Sequence, residues 1–238
     1  MKIIRGIVLA CMPLILSVPM YSQADKIISR LKLANAGGLS DSKITSGLKE
    51  ALRIGSENAV AHTGRLDGYF ANEAIKILMP ENFRQTERTL RALGFGAKAD
   101  EFVLSMNRAA EAAAPAARQI FGDAILAMSF DDARKILSGG DTAATDYFKN
   151  RTGDRLTSAF RPVIEKTMNE NEVTRQYNDL VAYSKRVPFV KSPSLDITQY
   201  VVSKALYGLF YTLAQEEKSI RKDPAARTTS LLKDVFGK

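Results

Sequence analysis

The stretch DITQYVVSKALYGLFYTLAQEEKSIR, residues 196–221, decides the fold. At about 100° per residue, its apolar side chains cover most of the helix circumference and leave only a narrow wedge around Lys204 and Thr212. A helix that is apolar on nearly every side belongs in the middle of a bundle. Lys204 and the charged run Glu216-Glu217-Lys218 argue against a membrane span. The sequence therefore predicts a central, buried helix over 196–221.

The rest of the chain shows frequent helix starts and stops and no sustained strand-like alternation. We predict further helices over 40–63, 80–93, 98–128, 129–139, 141–151, 152–169, 172–185 and 231–236. Pro115 should kink or break the third of these, because proline removes a backbone hydrogen bond. The glycine-punctuated stretch 64–80 should be irregular, with a short apolar plug over 75–79. The expected fold is an all-α, single-domain helical bundle of about eight to ten helices around the helix over 196–221.

The N-terminus has the three zones of a secretory signal. Lys2 and Arg5 give a positive start, residues 6–18 are almost wholly apolar, and Ser22-Gln23-Ala24 offers a cleavage site. The apolar run is shorter than the roughly 20 residues that span a membrane. We therefore expect residues 1–24 to be a signal peptide cleaved after Ala24, residues 25–238 to be one periplasmic domain, and no transmembrane span in the mature chain. A lipoprotein anchored through Cys11 is a minor alternative.

Composition excludes several classes of chemistry from the mature chain. Cys11 is the only cysteine and falls in the signal, so disulfides, a thiol nucleophile and a thiolate metal site are excluded. The formal charge is +8, and removal of Lys2 and Arg5 leaves +6, spread along the chain. Tyrosine and phenylalanine are not interleaved with basic residues as in nucleic-acid binders. We expect no nucleic-acid partner, no metal, no cofactor and no catalytic residue that can be named.

Five short motifs carry a family resemblance: DARKILSGGD (132–141), AATDYF (143–148), FRP (160–162), TRQYN (174–178) and DPAARTT (223–229). In combination they resemble the bacterial exported family labelled domain of unknown function 4197, from about Leu39 to Gly237. The resemblance implies an exported helical domain found in Gram-negative bacteria. It implies no activity.

Most polar signals of the sequence, inside and outside these motifs, have a structural interpretation. His62, the only histidine, falls near the end of the first helix, where an imidazole can meet the last carbonyls. Gly139-Gly140 should stop one helix and Asp141 should cap the next, although a cation site with Asp131 and Asp132 is an alternative. Arg227 can tie the chain internally, or its planar fork can hold a phosphate or carboxylate.

A binding site is the functional prediction that the central helix favours. Its tyrosines fall along one side, and tyrosine suits the half-apolar mouth of a pocket, although ordinary core packing is the alternative. The candidate ligand-binding residues are Tyr207, Phe210 and Tyr211 for the pocket, Arg227 for an anionic group, and Asp141 and Tyr147 from the motifs.

Three functions remain open from the sequence. The first is a non-enzymatic periplasmic protein that binds an apolar small molecule, such as a lipid, or a partner protein. The second is a hydrolase of an envelope polymer, which needs two carboxyl groups about 5–10 Å apart in a cleft. The third is a structural or assembly protein, which predicts a large exposed apolar patch and a stable oligomer.

Overall fold

The computed structural model describes residues 41–92, 94, 96–170, 175, 179, 196–227 and 229–236. The predicted signal peptide, its cleavage after Ala24 and the alternative role of Cys11 lie outside these residues. So does the helix predicted over 172–185, apart from the two helical positions Arg175 and Asp179. Residues Ser40–Lys238 form one compact unit.

The described elements are eight α-helices and three short 3-10 turns. The helices are α1 (Asp41–Gly64), α2 (Arg84–Ala92), α3 (Gly96–Ala113), α4 (Ala117–Leu126), α5 (Phe130–Ser138), α6 (Ala143–Glu170), α7 (Ile197–Lys222) and α8 (Ser230–Phe236). The 3-10 turns are Glu81–Phe83, Ala114–Ala116 and Pro224–Ala226. The all-α prediction is confirmed, and the described ranges contain no strand. Seven of the helices have nine or more residues, and α8 has seven, which puts the count at the lower edge of the expected eight to ten.

Helix α7 is the centre of the bundle, as its sequence predicts. The side chain of Asp196 caps it by accepting a hydrogen bond from the backbone N–H of Gln199 at 2.9 Å. Asp223 ends it because the residue before Pro224 is held in an extended conformation. The helix packs against α1, α3 and α6, and it runs antiparallel to α6. Its buried positions include Val202, Leu209 and Leu213.

Local signals predicted several helix ends correctly. Pro115 breaks the predicted helix over 98–128 into α3 and α4, separated by one 3-10 turn. Ser129 and Asp132 form a reciprocal capping box at the start of α5, where the helix predicted over 129–139 begins. One boundary is wrong. The helix break predicted near Thr152 is absent, because α6 continues from Ala143 to Glu170 without interruption.

Buried polar side chains of α3 hold the irregular chain between α1 and α2. The carboxylate of Glu111 accepts hydrogen bonds from the backbone N–H groups of Tyr69 and Phe70 at 3.1 and 3.2 Å. The amide of Asn107 bonds both the N–H and the C=O of Ile77, at 2.9 and 2.8 Å. These bonds satisfy backbone groups that no regular element pairs, so the segment is firmly placed.

Tyr69 anchors the same segment directly on α7. Its buried hydroxyl donates to the carbonyl oxygen of Ala205 at 2.6 Å, and burial raises the pKa of the phenol above its ordinary value. A Cβ at Gly208 would lie 2.4 Å from the Tyr69 ring. The glycine is therefore required by this close approach. Within the ranges that the structure describes, no helix is long and apolar enough to cross a membrane.

Candidate functional site

A groove runs between α6 and α7 on the surface of the bundle. Its volume is about 540 Å³, within the range of ligand sites. We call it the tyrosine groove; its lining includes Thr145, Asp146, Lys149, Gly153, Asp154 and Thr157 from α6, and Ser203, Leu206, Tyr207, Phe210, Tyr211 and Ala214 from α7. From Thr145 to Thr157 the groove follows α6 for about 18 Å, at 1.5 Å per residue.

Tyr207 and Tyr211 form the aromatic wall of the tyrosine groove. They stand one helical turn apart on α7, with ring centroids 6.2 Å apart and ring planes 29° from parallel. Tyr207 is 57% exposed and Tyr211 is 36% exposed, so both rings are open to solvent. Large apolar surface left in water is costly, and tyrosine is enriched where a partner later covers it.

On the α6 side of the groove, opposite the tyrosines, Gly153 leaves a position without a side chain. It lies inside the 28-residue helix α6, and a Cβ built on it would meet nothing within 4 Å. Glycine inside a helix costs about 0.5–1 kcal/mol relative to alanine. No neighbour among the described residues requires that cost, in contrast with Gly208. The missing side chain leaves open space beside α6 at this point of the groove.

Phe210 lies between the two tyrosines in sequence but serves the core. Its side chain is buried, and its ring lies 6.2 Å from that of Phe121. The structure thus brings together three of the six predicted site residues, Tyr207, Phe210 and Tyr211. Two of them face solvent and the third forms the base of the groove.

Tyr147, Asp141 and Arg227 do not join this groove. Tyr147 is half-buried, and its hydroxyl donates to the carbonyl oxygen of Ala124 on α4 at 3.1 Å. The guanidinium of Arg227 donates to the carbonyl oxygens of Ile220 and Arg221 at 3.1 and 2.8 Å, so it closes the end of α7. This geometry matches the structural interpretation of Arg227.

Glu217 organises the C-terminal end of α7, and sequence reasoning missed this role. Its buried carboxylate accepts hydrogen bonds from the backbone N–H groups of Ala144 and Thr145, at 2.9 and 2.8 Å, and from the Thr145 hydroxyl. The guanidinium of Arg221 donates to the same carboxylate at 3.0 Å and to the Ile136 carbonyl oxygen at 2.8 Å. Glu217 thus caps α6 from another helix.

Asp141 therefore does not cap α6, contrary to the sequence prediction. Its carboxylate instead pairs with the ammonium group of Lys222. This hydrogen bond lowers the pKa of Asp141 below its ordinary value. The motifs over 132–141, 143–148 and 223–229 consequently meet around the last two turns of α7. We call this the closed end of α7: Asp141, Ala144, Thr145, Glu217, Arg221, Lys222 and Arg227.

His62 is half-exposed at the end of α1, as predicted. Its Nδ1 lies 3.5 Å from a carboxylate oxygen of Glu216, and the other Glu216 oxygen accepts a hydrogen bond from Asn58. In the part of the chain that the structure describes, no three histidine or carboxylate side chains are grouped to hold a metal ion. The arrangement links α1 to α7.

The fold and the site define an all-α helical bundle with an open aromatic groove between its two longest helices. The chain belongs to the family described as "Protein of unknown function (DUF4197)", whose model matches residues 38–237. The resemblance seen in the five motifs is thus confirmed. Comparison with curated proteins and with solved structures gives no match.

Proposed function

We propose that this chain is an exported, non-enzymatic interaction protein of the periplasm, and that its tyrosine groove binds a segment of a partner protein. The observation that carries the proposal is the exposed Tyr207–Tyr211 pair facing a helix whose glycine leaves open space. Export is supported by the three-zone N-terminus, with its basic start, apolar run and small residues before Asp25.

The dimensions of the groove favour a polypeptide segment as its occupant. A length of about 18 Å accommodates five or six residues of extended chain, at about 3.3 Å per residue. Tyrosine rings supply large contact area with few rotatable bonds, and they are common in the energetic centre of protein interfaces. Asp146 and Lys149 at the rim offer opposite charges for hydrogen bonds at the edge of such a contact.

A hydrolase has weaker support from the carboxylates. Glu87 and Asp100 approach each other, since both accept hydrogen bonds from one guanidinium nitrogen of Arg91, at 2.9 and 2.5 Å. The Arg91 contact lowers the pKa of Asp100. A glycosidase acid needs a carboxyl group that keeps its proton near neutral pH, and the cation has the opposite effect.

Site-specific photocrosslinking in the producing cells tests the proposal. Benzoylphenylalanine replaces Tyr207 in one strain and Lys204 in another, because Lys204 is exposed on the same helix but outside the groove. We expect irradiation to give an adduct of one discrete protein mass at position 207 and none at 204. Mass spectrometry of the adduct then identifies the crosslinked peptide of the partner.

A second variant ties the adduct to the groove. Gly153→Leu fills the open space in α6, whereas Gly122→Leu makes the same change on α4, where a Cβ also meets nothing within 4 Å. We expect the adduct to disappear with Gly153→Leu and to persist with Gly122→Leu. Equal crosslinking at 204 and 207, or an adduct that survives Gly153→Leu, would contradict the proposal. A stoichiometric small molecule seen by native mass spectrometry instead of a protein adduct would replace the partner with a carrier function.

A further inference from the structure

A second groove lies on another part of the bundle, between the segment over 65–80, α2 and the first half of α3. Its volume is about 590 Å³. Met79 and Val103 are buried beneath it, Phe70 is half-buried at its floor, and Leu78 is 55% exposed at its edge. The floor is therefore apolar. We call this the basic groove because of the charges on its rim.

Four cations and two carboxylates line the basic groove. Arg91 pairs with both carboxylates, those of Glu87 and Asp100, so its single positive charge offsets half of their negative charge. The other three cations are Lys76, Arg84 and Arg88. The net charge of the lining is +2, and an anion is the ligand that complements it.

The three remaining cations are weakly engaged within the chain. Arg84 pairs with Glu81, whose side chain is 82% exposed, and such solvated pairs contribute little. Lys76 reaches its nearest carboxylate, that of Glu73, only at 4.0 Å. Arg88 has no ion pair or hydrogen bond with any of the described residues. These groups can exchange water for a ligand without breaking a strong internal contact.

The groove is also rigid before any ligand arrives. Asn107 holds both backbone groups of Ile77, and the Tyr200 hydroxyl donates to the carbonyl oxygen of Leu78 at 3.0 Å. Ile77 is buried, while its neighbours Lys76 and Leu78 line the groove, as alternation in an extended segment requires. The Lys76 ammonium lies 4.3 Å from the centre of the Phe70 ring. A cation is thus fixed directly above the apolar floor.

We propose that the basic groove binds an amphiphilic anion, that is, a single acyl or alkyl chain with a carboxylate or phosphate head. The acyl or alkyl chain of the ligand covers Phe70 and Leu78, and its anionic head contacts Lys76 and Arg88. A bare phosphate leaves the apolar floor wet, and a neutral detergent leaves the cations unpaired. The site is separate from the tyrosine groove, so it stands or falls independently of the proposed partner binding.

Calorimetric titration of the intact chain with four probes tests this proposal. Dodecanoate and dodecyl phosphate, both below their micelle concentrations, supply the two anionic heads. Dodecyl maltoside supplies the alkyl chain without an anionic head, and inorganic phosphate supplies the anion without an alkyl chain. We expect both anionic amphiphiles to bind with one-to-one stoichiometry. Dodecyl maltoside and inorganic phosphate should each bind at least about tenfold more weakly. Equal binding of dodecyl maltoside would overturn the proposal, and so would equal binding of phosphate.

Matched variants locate the site. Arg88→Gln removes a cation that has no described internal partner, so the fold should be unaffected, and affinity for dodecyl phosphate should fall about tenfold. Arg118→Gln makes the same change at an exposed position of α4, outside the groove, and should leave the affinity for dodecyl phosphate unchanged. Unchanged affinity with Arg88→Gln and Lys76→Gln refutes the assignment. Binding only to vesicles of phosphatidylglycerol, with none to the dissolved probes, also refutes it and points to a membrane surface instead.

Discussion

The two halves of α7 differ although they belong to one helix. At the closed end, Glu217 is buried, Arg221 is partly buried and pairs with it, and the family motifs gather around them. About two to three helical turns before Glu217, Tyr207 and Tyr211 stand exposed with no such pairing. The closed end joins α5, α6 and α7 to one another. In the groove half, the rings of Tyr207 and Tyr211 form an aromatic surface that is exposed to solvent.

This difference separates residues that build the fold from residues that can serve a partner. A buried carboxylate with four donors around it has no capacity left for a ligand. The motifs that identify the family therefore include a structural cluster, and the polar residues of that cluster are poor guides to a candidate binding site. The groove residues that match no motif are better candidates.

Removing Glu217 should produce the largest effect. Glu217→Ala leaves the N–H groups of Ala144 and Thr145 without an acceptor and the partly buried Arg221 without its partner. We expect a loss of about 3–5 kcal/mol of stability, which is typical when one member of a buried ion pair is removed. Urea denaturation followed by circular dichroism measures it. Glu216→Ala, next in the chain and partly exposed, should cost less than about 1 kcal/mol; equal losses would contradict the particular role of Glu217 in the closed end.

Truncating the aromatic residues of the groove should divide them into core and surface. Phe210→Ala opens a cavity beside Phe121 and should cost about 3–5 kcal/mol. Tyr207→Ala removes an exposed ring and should change stability by no more than about 0.5 kcal/mol. Thermal and urea unfolding of the two variants check this. A large loss with Tyr207→Ala would mean that the ring belongs to the core, and the proposed interaction surface would lose its main support.

Replacing Gly208 of α7 and Gly153 of α6 by alanine should have opposite effects on stability. Gly208→Ala pushes a methyl group into the Tyr69 ring and should destabilise by about 1–3 kcal/mol. Gly153→Ala meets open space and should stabilise by about 0.5–1 kcal/mol. Differential scanning calorimetry gives both shifts in Tm. A destabilising Gly153→Ala would show that the glycine serves the fold and not an approaching partner.

Of the changes considered, acidification should reduce the free energy of unfolding by the smallest amount, and it should act at the closed end of α7. Lys222 lowers the pKa of Asp141 below its ordinary value of 3.8, so the folded state favours the ionised carboxylate. The pair contributes stability above about pH 4 and loses it as pH falls through the lower folded pKa. Asp141→Asn should therefore reduce stability near pH 6 and match the parent chain near pH 2. Lys222→Gln should show the same convergence; a difference that persists at low pH would argue against the ion pair as the cause.

The sequence contained enough local information to predict most helices. The capping residues Ser129 and Asp196 and the break at Pro115 act within a few residues of the ends that they define, so they can be recognised without the fold. The predicted break near Thr152 failed because one glycine does not stop a helix that is packed along its length. Thr152 is buried, and Leu156 and Phe160 continue the same buried face.

The candidate site was predictable only in part. Tyr207 and Tyr211 were identified because the periodicity of α7 puts them on one side of the helix. The role of Glu217 could not be predicted, since it depends on N–H groups more than 70 residues away in the chain. The basic groove was missed for the same reason, because Lys76, Arg88 and Asp100 come together only through the packing of α2 on α3.

The capping of α6 by Glu217 also bears on the order in which the chain is made. A ribosome completes α6 before Glu217 is added, so the first turn of α6 lacks its acceptor until the 72 residues from Thr145 to Glu217 have been made. Helix α1 likewise lacks a main packing partner until α7 is made, because much of its buried face packs on α7. Contacts between distant parts of a chain slow folding. The bundle therefore closes only when its last long helix has emerged, and the earlier helices spend that interval without a complete core.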